Sequence, residues 1–456
     1  MSEQKKGYKV RKSTMTKAQA MKNTTRSKEP IRLTAETTIN VREDTKTEAA
    51  KKKKKRSSAE MRELGRRSNT FIKPTDVVRI KGSPDMVLMI LVIILTLFGL
   101  IIDFSSSYAY ASIYAGDSFY FIKRQAVFAV IGIGGMLIMS RFDYQWIRKL
   151  TLPLYIFTIG LLGVVLLYGF AVGEAQRWIK IGGQTVQPSE IAKMSIVLTL
   201  ALYVSRNQNR IINYSNFRQS TTYGIIVPLI IVGIPSGMIL LENHFSGTII
   251  VALIGIILIF TSGGRRDILV IAAAAVVVVI VIFMLFSSYA RTRLDMWINP
   301  DNYDPKGSIW QTLQGLYAIG SGGLFGVGLG NSKQKFLFVA QPQNDFVFSI
   351  LCEELGFTGA VIVIVLFMLL VWRGFMIALR APDTFSSLTA LGLTIKVGLQ
   401  AILNIAVVTN TIPNTGISLP FFSYGGTALV VQLGEMGILL AISKYTYREN
   451  TAVVGT

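Results

Sequence analysis

This sequence predicts an all-α, polytopic membrane fold: about ten transmembrane helices, with one large extracytoplasmic loop between the seventh and the eighth. Three observations carry the prediction. The 456 residues are 51% hydrophobic with a mean hydropathy of +0.47, a composition of membrane proteins. Apolar runs approaching the ~20 residues that span a hydrocarbon core recur from residue 84 to residue 443. Charge is segregated: residues 1–82 hold 24 Lys+Arg against 9 Asp+Glu, so most of the formal +21 lies before the first apolar run.

Residues 1–82 are polar and poor in aromatics, and read as a disordered, basic, cytoplasmic tail. The run KKKKKR at 51–56 either contacts anionic headgroups, at about 1 kcal/mol per basic residue, or is a solvated segment that fixes topology. No recognition domain accompanies the charge, so no nucleic-acid partner is expected. The first apolar run lacks a small-residue cleavage site, which argues against a signal peptide.

Spans are expected near 84–103, 121–140, 152–171, 189–205, 222–241, 246–262, 267–287, 345–372, 385–411 and 424–443. Ten spans put both termini on one face. With the tail inside, the loops carrying Arg141/Arg148/Lys149, Arg206/Arg210/Arg218, Arg265/Arg266, Arg373/Arg380 and Lys444/Arg448 also lie inside, as positive charge favours. Both termini are then cytoplasmic, with 448–456 a short tail. Arg177/Lys180, Arg291/Arg293 and Lys306/Lys333/Lys335 fall on the outer face against that rule, which suggests a task there. One cysteine excludes an internal disulfide, and one histidine, His244, argues against a histidine triad or zinc site. His244 reads as interfacial.

Four constellations could carry chemistry. In QRWIKIGGQTVQPSEIAK (176–193), Pro188 suits the first helical position. Glu190 then falls in the first turn and Lys193 three residues on, either a cap with an ion pair or a functional pair at the mouth of a span. The outer segment 288–345 reads as a folded cap. It holds Asp304-Pro305-Lys306-Gly307, a turn by composition, and glycines from 320 to 330 that permit close approach to a ligand or another helix. No GKS or GKT follows, so it is not a P-loop. Asp345, Glu353 and Glu354 cluster at the outer end of the eighth span, as a helix cap and ion-paired acids or as functional groups. NTIPNTGISLPFFSYGGTAL (410–429) interrupts the membrane pattern and must be satisfied by protein or a wet cavity. Upstream, Lys396, Gln400 and Asn404 form a polar stripe that should face inward.

QRWI…QPSEIAK, DPKG…Q…AIGSGGLFGVGLGNSKQK (304–335), NDFVFSILCEELGFTG (344–359) and PNTGISLPFFSYGGTAL (413–429) together resemble the shape, elongation, division and sporulation (SEDS) family, which includes FtsW, RodA and SpoVE. The resemblance covers roughly 84–445, and FYFIKRQ (119–125) leans toward the FtsW/SpoVE branch. LENHFSGT stands where many members have an acidic PDxGT-like motif, and AQPQN (340–344) replaces an acidic or His-Thr-containing run. The resemblance implies a ten-helix membrane domain over 83–447. It implies a glycosyltransferase that polymerises lipid II for division or sporulation, with a class B penicillin-binding protein and other divisome proteins as partners. A lipid II flippase and a RodA-like elongation polymerase are the alternatives. The family's essential aspartate falls on Asp304, the catalytic candidate. Its Glu and Lys of the fourth helix fall on Glu190 and Lys193, and its important tryptophan on Trp178. Arg177, Arg291, Arg293, Gln311, Lys333 and Ser423 complete the expected substrate contacts. No covalent cofactor is implied. A divalent cation, Mg or Mn, is compatible with a departing diphosphate; its ligands are unassigned.

Overall fold

A computed structural model of the chain describes residues 78–172, 175–181, 184–265, 267–268, 270–271, 273–274, 288–307 and 309–448. Most of the expected tail, most of the expected seventh span and residues 449–456 lie outside the described residues.

The chain opens with strand β1 (Val78–Lys81), then helices α1 (Met86–Tyr114), α2 (Tyr120–Arg141) and α3 (Tyr144–Tyr168). A three-stranded antiparallel sheet follows: β2 (Phe170–Val172), β3 (Ala175–Ile181) and β4 (Gln184–Val186). Next come α4 (Pro188–Ile211), α5 (Phe217–Leu241, with a π-helical turn at Thr222–Ile226) and α6 (Phe245–Thr261). The cap contributes α7 (Ser288–Ile298) and α8 (Trp310–Ser321). Three long helices close the bundle: α9 (Val347–Arg380), α10 (Thr384–Val408) and α11 (Gly426–Ser443), before strand β5 (Tyr445–Arg448). Among the described residues, α1, α2, α3, α5, α9, α10 and α11 are long and apolar enough to cross a membrane. α6 is apolar but has 17 residues. α4 is long enough but ends in the polar run RNQNR.

The sheet is a departure from the expected pattern. The third span, expected at 152–171, starts instead at Tyr144, because the Asp143 carboxylate caps it by accepting from the Gln145 amide, and it ends before Gly169. QRWIKI then takes the strand period, with Phe170 opposite Trp178 and Ile179 opposite Val186.

One face of the bundle is tied by hydrogen bonds between helix ends. Asp85, Asp143 and Asp383 cap α1, α3 and α10 there. The Tyr144 hydroxyl donates to Asp383 at 2.7 Å, and the Thr384 hydroxyl donates to Gln208 at 2.9 Å. Arg373 pairs with Asp85 at 2.8 Å, and Lys444 donates to the Arg141 carbonyl at 3.0 Å. β1 and β5 pair antiparallel on this face, Val78 opposite Arg448. The sheet, the 242–244 turn, the cap and the 409–425 stretch lie at the opposite ends of the helices.

The glycines of the cap serve helix contact. α9 is broken at Gly356, where φ is +66°. The 322–330 segment lies in that break and supplies the missing bonds: Val327 and Gly328 amides donate to the Glu353 and Glu354 carbonyls, and Phe357 and Thr358 amides to those of Gly323 and Leu324, all at 2.9–3.0 Å. A Cβ on Gly326 would collide with the Glu354 carbonyl, and φ there is +79°. Gly326→Ala should therefore cost about 2–4 kcal/mol through overlap and strain together. Gly330→Ala, with φ +84° but open space, should cost only the strain. Thermal unfolding in detergent checks this, and equal midpoints for the two variants would refute the packing role.

The two glutamates of CEEL are held within the same junction, Glu354 by an ion pair and Glu353 by hydrogen bonds. Glu354 pairs with Lys335 at 2.9 Å and accepts from the Ser105 hydroxyl of α1. Glu353 accepts from the Ser332 hydroxyl and from the Lys333 amide at 2.9 Å. They secure the cap to α1 and α9.

Candidate functional site

A cavity of about 430 Å³ opens between the sheet, α2, α4, α6 and the 416–429 stretch. Three helices start in its wall: α4 after Gln187, α6 after His244 and α11 after Gly425, and none of the three has a side-chain cap. This contrasts with the aspartate caps on the other face. Uncapped first-turn amides leave donors aimed outward and a partial positive charge. Convergence of three such ends makes the cavity a site for an anion, phosphate above all. Arg124 and Arg177 add full charges to the same wall.

The Glu190–Lys193 pair lies on this wall. Lys193 Nζ is 2.7 Å from Glu190 Oε1, and both side chains are at most 9% exposed. Pro188 occupies the first turn of α4 and places the pair. The α10 stripe faces inward as expected. Lys396, fully buried, pairs with Glu435 at 2.6 Å. Gln400 accepts from Lys193 at 3.4 Å and donates to the Ser418 hydroxyl at 3.0 Å. Asn404 donates to the carbonyls of Asp345 and Ile417 at 2.8 and 2.6 Å. Two acids and two lysines thus share one buried region, and the irregular 416–423 backbone is held by α10.

Of the residues nominated from sequence, the cavity gathers Arg177, Trp178, Glu190, Lys193 and Ser423. Ser423 is also structural, its hydroxyl accepting from the Leu419 amide at 2.7 Å. A separate cleft of about 510 Å³, between α7, α8 and the 410–414 stretch, holds Arg293 and Gln311. Arg293 donates to the Asn414 carbonyl at 2.7 Å, and Gln311 to the Ala340 carbonyl at 2.9 Å. Arg291, Lys333 and Asp304 are exposed and line neither space. The Asp304 carboxylate accepts from the Lys306 amide at 2.9 Å within its own turn.

His244, read above as interfacial, is 6% exposed and lines the cavity, which nothing in LLENHF signals. Burial, then the charges of Arg177 and Lys193, push the pKa of its imidazole well below the usual value. Arg177 donates to the neighbouring Asn243 carbonyl at 2.8 Å, which ties β3 to this turn. Arg124, inside α2, also lines the cavity, although in the sequence its position at the start of a span reads as topology.

A family profile described as cell cycle protein, covering FtsW, RodA and SpoVE, matches residues 85–448. The chain belongs to this FtsW/RodA/SpoVE family. Relatives in the family include the stage V sporulation protein E of Bacillus subtilis (strain 168), 39% identical over 369 residues, covering 80% of this chain and 98% of that protein. A probable peptidoglycan glycosyltransferase FtsW of Trichlorobacter lovleyi is 36% identical over 361 residues, covering 79% and 93%. Among solved structures, a chain of a peptidoglycan synthase complex described for coordination of polymerization and crosslinking aligns with a TM-score of 0.64 and 26% identity, covering 79% and 97%. The Thermus thermophilus rod shape determining protein RodA aligns with a TM-score of 0.58 and 25% identity, covering 79% and 96%. The family's shared region is thus the multi-pass membrane domain that holds the cavity.

Proposed function

We propose that this protein is a peptidoglycan glycosyltransferase that joins lipid II disaccharides into glycan strands on the outer face of the cytoplasmic membrane, for division or sporulation. The observation that supports it best is the cavity on the face opposite the β1–β5 ladder. Three uncapped helix starts and two arginines suit the diphosphate of a lipid-linked sugar. The family supplies the reaction class.

Lipid II is an α-linked donor and the strand is β-linked, so the transfer inverts. The acceptor C4 oxygen forms a bond to the donor's anomeric carbon, the bond from that carbon to the diphosphate oxygen breaks, and the acceptor's proton passes to a carboxylate. Asp304 is the proposed base. Inversion puts the attacking hydroxyl and the leaving group on opposite faces of the sugar, so a base outside the diphosphate's cavity suits this geometry. The leaving diphosphate departs as an anion, stabilised by Arg124, Arg177 and the helix starts. Among the described residues no three His, Cys, Asp or Glu side chains cluster as metal ligands. A divalent cation would be held mainly by substrate phosphates.

The proposed partner is a class B penicillin-binding protein, together with other divisome proteins. Leu324, Phe325, Phe336 and Phe338 are exposed on the cap and suit such a contact. Purified protein incubated with labelled lipid II in detergent should yield glycan polymer. Translocation of lipid II across liposomes without polymer would replace this reading with a flippase.

A further inference from the structure

We propose that Asp345 is a sugar-binding carboxylate of the cavity, accepting hydroxyl or acetamido hydrogen bonds from a diphosphate-linked saccharide. This rests on the reading that such a ligand occupies the cavity. The sequence offered helix capping as the alternative role, and the structure removes it: the cap position of α9 is Phe346, with no side-chain bond. Asp345 is half-buried and lines the cavity. Among the described residues its carboxylate makes neither a hydrogen bond nor an ion pair. Its backbone is fixed all the same, since Asn404 of α10 donates to its carbonyl at 2.8 Å. Gly416, with φ +70°, leaves room for it: a Cβ there would stand 3.0 Å from Asp345 Oδ2.

An open carboxylate in a cavity lined by arginines and helix starts calls for a donor partner. The charged groups that act on it are Arg177 from β3 and Arg293 from α7. Burial raises its carboxyl above the usual range, and the two arginines oppose that shift. A second anion, the diphosphate, would repel it. Sugar hydroxyls and an acetamido N–H are neutral donors, and they arrive on the same ligand. Asp345 is therefore placed to read the saccharide while the arginines and helix starts read the phosphates. Its part is distinct from proton removal by Asp304, which lines a different surface.

The test measures binding to full-length protein in detergent with two probes: lipid II, and undecaprenyl diphosphate without sugar. Asp345→Asn should weaken lipid II at least about 10-fold, the loss expected for hydrogen bonds to a charged acceptor. It should leave the sugarless lipid within about two-fold and the thermal midpoint unchanged. Wild-type affinity for lipid II should fall as pH drops through the carboxyl's titration, because the protonated acid loses acceptor capacity, while Asp345→Asn should show no such limb. Asp345→Ser, smaller and neutral, repeats the comparison if the asparagine variant is poorly folded. Equal losses for both lipids, or no loss for either, overturn the assignment. A loss for the sugarless lipid that appears only with Mg also overturns it, by making Asp345 a cation ligand. If wild type binds neither lipid, the reading of the cavity itself falls, and this assignment with it.

Discussion

Asp304→Asn should slow lipid II polymerisation at least about 100-fold, within the range for loss of a general base. The substitution keeps the side-chain shape and removes only the proton acceptor. Its fold cost should be small, since the residue is exposed and its carboxylate accepts one amide bond inside a surface turn, a bond that the asparagine oxygen can also accept. Lipid II binding should persist, because Asp304 does not line the cavity. That separates it from Asp345→Asn, whose effect falls first on binding. Asp301→Asn, in the adjoining 3₁₀ turn, is the control and should stay within a few-fold of wild type. An Asp304→Asn enzyme that polymerises nearly normally beside a dead Asp301→Asn or Asp345→Asn enzyme would show that another carboxylate takes the proton.

The second large effect belongs to Lys193. Lys193→Met should destabilise the protein by about 3–5 kcal/mol, because it strands Glu190 without its partner in a buried site. The neighbouring Lys396 acts on the same carboxylate but is itself bound to Glu435 at 2.6 and 2.7 Å, so its compensation is partial. Glu190→Gln/Lys193→Met removes both charges and should recover most of the stability. Activity should not recover with it, since Gln400, which itself donates to Ser418, loses the ammonium that donates to it. Denaturation midpoints and polymerisation rates of the two singles and the double complete the cycle. Purely additive stabilities would mean that the 2.7 Å contact contributes no coupling.

Much of this arrangement is legible in the sequence. The apolar runs mark the spans, Pro188 marks the start of α4, and the spacing of Glu190 and Lys193 marks a pair. The period of Lys396, Gln400 and Asn404 marks an inward face. What escapes is set by long-range packing. QRWIKI becomes a strand only because Phe170 and Val186 return alongside it. The glycines from 322 to 330 could equally have held a ligand; the break at Gly356, which nothing in LCEELGFTG announces, shows them filling a helix. His244 joins the cavity because Arg177 and Gly247 close around its turn. Asp345 reads as a cap until the helix is seen to start one residue later.

The pairing of β1 with β5 has a topological consequence. Two strands that exchange hydrogen bonds lie on the same side of the bilayer, so the chain between Lys81 and Tyr445 crosses an even number of times. Among the described residues, α1, α2, α3, α5, α9, α10 and α11 are long and apolar enough to be such crossings, with α4 and α6 packed among them. Between α6 and α7 the sequence carries the apolar run Ile268–Phe286, most of which lies outside the described residues. The cavity lies at the ends of these helices opposite the β1–β5 ladder. A single inserted or deleted span would separate β1 from β5 across the membrane, so the ladder can close only on a chain with an even number of crossings.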